Sequence, residues 1–141
     1  MRTWYLFLVV VLFSFGFGGC IADPAEEELT GVWTLDVQRT VGSINSTVRP
    51  AEAAPLLAAI NNGASTLTFG ADGAFSRSGA LAADGSWSVK TASTFGGILA
   101  TLTLTGGASA EPSEFTITIE GDQLQVRPTD EPWTEFWVRQ P

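Results

Sequence analysis

The run Leu67-Thr68-Phe69-Gly70-Ala71-Asp72-Gly73-Ala74-Phe75-Ser76-Arg77 sets two short segments of alternating apolar and polar residues on either side of Ala71-Asp72-Gly73. A three-residue loop with Gly73 in the left-handed conformation suits that turn, and it places Phe69 opposite Phe75 and Leu67 opposite Arg77. Slipping by one residue would send every side chain to the other face, so the apolar matches argue for this register. The same turn at Ala83-Asp84-Gly85 would bring Leu81 opposite Trp87 and Gly79 opposite Val89. At Gly121-Asp122 a two-residue turn pairs Ile119 with Leu124 and Ile117 with Val126.

Outward from these hairpins the pattern continues. Residues 29–41 read as a first strand, with Leu29, Gly31, Trp33, Leu35 and Val37 on the buried face. Residues 98–105 supply a strand with Leu102 and Leu104 inward. Residues 133–140 supply the last, with Phe136 and Val138 inward and Trp137 on the opposite face. Residues 50–60 break the alternation: Leu56, Leu57 and Ile60 share a helical face, Pro55 delays the start, and Asn61-Asn62-Gly63 ends the run. The expected fold is all-β: an eight-stranded up-and-down antiparallel barrel with one short helix between strands 1 and 2. A sheet that long is expected to close and so remove its edges.

Composition narrows the function. The chain has no histidine and one cysteine, which removes imidazole bases, imidazole metal ligands and any disulfide. Cleavage of residues 1–19 would take away Arg2 and no acid, leaving six Lys and Arg against fifteen Asp and Glu. Nucleic acid is thus not an expected partner, because a phosphate backbone needs clustered cations. Asp72-Gly73, Asp84-Gly85 and Gly121-Asp122 lack the spacing of a calcium loop and read as turns. No cofactor is expected, and nothing positions a carboxylate pair for catalysis, so the chain does not read as an enzyme.

At the front, an apolar run from Trp4 to Phe17 follows Arg2, the layout of a signal peptide over residues 1–19. Phe17-Gly18-Gly19-Cys20 resembles the lipobox of bacterial lipoproteins, with Phe17 where that family usually has an aliphatic residue. The resemblance implies that Cys20 is lipidated and anchors the chain to a membrane of the cell envelope. Ile21 stands where the inner-membrane retention signal has Asp, which favours the outer membrane in a cell that has one. Ordinary cleavage after Ala22 is the competing reading. Residues 20–28, acidic and containing Pro24, read as a tether, and residues 29–141 as the folded domain.

Gly31-Val32-Trp33 followed by Leu35-Asp36, with Arg139 near the end of the last strand, resembles the calycin pattern of lipocalins and their relatives. Together with the helix, the Asp72-Gly73 hairpin, Gly85-x-Trp87 and Gly121-Asp122, the chain is similar to lipocalin-like proteins of bacterial envelopes. The resemblance implies that Gly31, Trp33 and Arg139 close one barrel end, the guanidinium covering the indole.

An eight-stranded barrel is just wide enough to be filled by side chains or to hold one small ligand. The leading expectation is a membrane-tethered binder of a small apolar molecule, with Phe69, Phe75, Trp87 and Arg77 at the site. Arg77 shares a face with Phe69 and Phe75, so it needs an anion from the protein or from a ligand, unless it reaches water at a rim. The alternative is a structural or protein-interaction module with a solid core and a working outer surface, to which Trp133 and Trp137 would contribute.

Overall fold

Eight antiparallel strands close on themselves in the order of the chain: β1 (Gly31–Leu35), β2 (Thr66–Phe69), β3 (Ala74–Ser78), β4 (Ala83–Ser93), β5 (Ile98–Gly106), β6 (Ser109–Glu120), β7 (Gln123–Pro128) and β8 (Glu135–Arg139). Among the described residues, three helices accompany them: α1 (Pro24–Leu29), α2 (Val37–Thr47) and α3 (Pro50–Asn61). The structure, a computed structural model, describes residues 23–61, 64–79, 81–106 and 109–141. The signal peptide and Cys20 lie outside the described residues.

The barrel is the expected up-and-down one, and two of its hairpins have the expected registers. Phe69 pairs with Phe75 and Leu67 with Arg77 around a turn in which Gly73 has φ 85°. Ile119 pairs with Leu124 and Ile117 with Val126. Closure comes from β8 returning to β1, with Trp33 opposite Arg139 and Leu35 opposite Trp137. Inside lie Trp33, Leu67, Phe69, Trp87, Leu102, Ile117, Leu124 and Trp137, all buried.

Several local expectations are corrected. The first strand ends at Leu35, not at 41, because Asp36 caps a helix: its carboxylate accepts from the Arg39 amide at 3.1 Å. Two helices therefore separate β1 from β2. In the one expected over 50–60, Pro50 starts the helix and Pro55 is carried inside it. Ala83-Asp84-Gly85 is not a turn. Gly85 sits within β4 opposite Gly106, where an added Cβ would lie 2.1 Å from the Thr105 carbonyl oxygen and 3.0 Å from Phe75. Trp87 pairs with Leu104, and the true β3–β4 connection holds Leu81 at φ 56°. The last strand has the opposite facing: Glu135 and Trp137 are buried, whereas Val138 is exposed. Phe136 looks outward under α2, where the Arg39 guanidinium carbon lies 4.2 Å from its ring centroid and Thr40 accepts from its amide.

The segment expected as a tether folds from Pro24 onward. Ala25 and Leu29 are fully buried, and α1 rests on β4, β5 and β6. Its cap fixes it: the Asp23 carboxylate accepts from the amides of Ala25 and Thr91, each at 3.0 Å, and from the Thr91 hydroxyl. These donors, the Thr91 hydroxyl foremost, hold the Asp23 carboxyl below the usual carboxylate range.

Candidate functional site

The two ends of the barrel differ. At one, Gly31, Arg139, the three hairpin turns β2–β3, β4–β5 and β6–β7, and α1 come together. The Trp33 indole donates to the Leu29 carbonyl at 2.9 Å, and the Arg139 guanidinium carbon stands 4.4 Å over the Trp33 ring. Arg139 also donates to the Glu28 and Thr30 carbonyls at 2.6 and 3.4 Å. Those carbonyls belong to the end of α1, where a cation is favourable. Gly31, at φ 137°, brings the backbone beneath Arg139, and its absent Cβ would stand 3.6 Å from the guanidinium. This capped end places the three residues singled out for closure in one cluster.

Toward the other end the interior is not filled. A cavity of about 190 Å3 is walled by Phe75, Leu102, Phe115 and Trp137, with Arg77 and Glu135 among its lining. Arg77 on β3 reaches across the interior to Glu135 on β8, with N···O distances of 3.0 and 2.8 Å. Their side chains are 12% and 5% exposed, so the pair is held largely out of water. The Arg77 guanidinium carbon also lies 5.0 Å from the Trp137 ring centroid. Trp137 is 1% exposed, and its indole N–H has no acceptor among the described residues. Leu81, half-exposed, stands at the rim.

Of the four residues expected at a ligand site, the structure brings two to the cavity, Phe75 and Arg77. Phe69 and Trp87 lie elsewhere in the core, edge to face with ring centroids 5.2 Å apart, and the Trp87 indole donates to the Gly70 carbonyl. The anion that Arg77 requires is supplied by the protein. Sequence reasoning missed Glu135 and Trp137. Both share the facing of Arg139, two and four residues along one strand, and that spacing was the available signal. No family model, curated protein or solved structure matches the chain.

Proposed function

We propose that this chain is a lipid-anchored protein of the cell envelope, attached through Cys20, whose lipocalin-like barrel holds one small, neutral, mainly apolar molecule. The observation that carries the reading is the 190 Å3 interior cavity with an apolar wall. An apolar cavity near 150 Å3 can stay dry and take up a molecule of the size of benzene. The ligand is therefore about one ring in size, too small to be a fatty acid. It is neutral because Glu135 already balances Arg77. Lipidation is supported by the lipobox-like Phe17-Gly18-Gly19-Cys20, and the outer membrane by Ile21 after it.

The test is thermal unfolding of the purified chain with a panel of one-ring ketones, aldehydes and phenols beside long-chain fatty acids. A ligand at a hundred times its Kd stabilises by about 2.7 kcal/mol, so a saturable rise in Tm for the neutral one-ring compounds alone is expected. One observation favours the alternative of a structural or protein-interaction module: the cavity is smaller than the roughly 300–1,000 Å3 of ordinary ligand sites. A panel without any shift would overturn the one-ring ligand and favour that second reading.

A further inference from the structure

Asp23 is only three residues after Cys20, and its carboxylate is fixed to Thr91 near the end of β4. Three residues span about 10 Å when fully extended, so a lipid on Cys20 would leave the chain beside the capped end. Four residues beyond Thr91, the β4–β5 turn carries Phe95 at its tip, 98% exposed. Gly96 and Gly97, at φ 71° and 124°, form that turn. Two further exposed apolar side chains, Leu99 near the start of β5 and Val138 near the end of β8, lie at the same end, on the outer rim. Among the described residues the remaining large exposed one, Leu81, lines the cavity at the opposite end.

Given the lipidation of Cys20 on which this rests, we infer that the capped end is a bilayer-docking surface, with Phe95 inserted among the lipid headgroups and the cavity held facing away. An exposed aromatic at the height of the lipid attachment is what an interfacial contact uses. Charge selects the kind of surface. Asp23, Glu26, Glu27, Glu28, Asp72, Glu120 and Asp122 stand at this end against Lys90 and Arg139. An anionic bilayer is thus repelled, and the matching partner is a zwitterionic phospholipid surface.

The experiment uses the full-length lipoprotein purified from cells and reconstituted into phosphatidylcholine vesicles. Phe95→Cys, Leu99→Cys and, as a control in the β7–β8 turn at the far end, Asp130→Cys each take one nitroxide label, because a lipidated Cys20 has no free thiol. The labels at 95 and 99 are expected to be shielded several-fold from a water-soluble nickel chelate and to be relaxed by dissolved oxygen, with the label at 130 fully open to the chelate. Adding Phe95→Asp to the labelled Leu99→Cys chain should abolish the shielding at 99, which separates the role of Phe95 from the apolarity of a label. Phosphatidylglycerol in the vesicles should reduce it too. One label per chain with position 95 as open to the chelate as 130 overturns the docking surface alone. Two labels per chain show a free Cys20 and overturn the lipid anchor, and the docking surface with it.

Discussion

Removing Arg77 strands the Glu135 carboxylate in a largely dry interior, which typically costs about 3–5 kcal/mol. Arg77→Ala should therefore lower the urea midpoint sharply. Arg77→Met with Glu135→Leu should recover most of that loss, since a buried pair replaced by packed apolar groups is often neutral or stabilising. At the capped end the ranking is reversed between ring and cation. Trp33→Ala is expected to cost about 3–5 kcal/mol, as for a buried aromatic, and Arg139→Ala about 0.5–2 kcal/mol for the lost cation–π contact. Equal losses in urea unfolding would show that Arg139 holds α1 in place as well as covering the ring. The trio Gly31, Trp33 and Arg139 came from the resemblance to the calycin pattern, and the Arg139 guanidinium carbon lies 4.4 Å from the Trp33 ring centroid. Half of the cavity was not legible in the sequence. Phe136 and Val138 make an apolar face as plausible as one holding Glu135 and Arg139, and a facing assigned by hydrophobicity chooses the first. Yet Arg139 over an inward Trp33 already requires Trp137 and Glu135 inward, because alternate residues of a strand share a face. The buried Glu135 carboxylate is matched by Arg77 across the interior.

At the scale of elements, α1 is too short to hold a helical conformation by itself and depends on its docking. Its pin is the Asp23 carboxylate. The folded-state pKa is lowered, so the stabilisation is complete above the ordinary carboxylate value and is lost as pH falls through the lowered one. Amide protection over Ala25–Leu29 should be constant near neutrality and fall below about pH 4. Asp23→Asn should show weaker protection at pH 7 and no further acid loss, measured by hydrogen exchange. The hairpins with Asp72-Gly73 and Gly121-Asp122 were readable because a local turn set each register. Ala83-Asp84-Gly85 has the same composition, but Gly85 answers a long-range need, the close approach of Gly106 and Phe75, which no local window contains. The switch from strand to helix at Asp36 was hidden for a related reason. Val37 and Val41 suit an apolar helix face and a strand alike, and tertiary packing against β8 decides between them.

The molecule as a whole is closed by its two most distant strands: Trp33 and Arg139 are paired although 106 residues separate them. A chain ending after Pro128 would keep seven strands but expose the unpaired edges of β1 and β7. Such a truncation should be found in aggregates, where the full chain sediments as a discrete species. The pairing also sets an order of events. A polypeptide is made from its N-terminus, so β1 must wait for β8 before its second edge is covered, and every length of chain that stops short of β8 is an open sheet at best. Closure is thereby deferred until β8 has been made, and anything that must thread the chain through a narrow passage beforehand meets a polymer that has not yet had the means to shut.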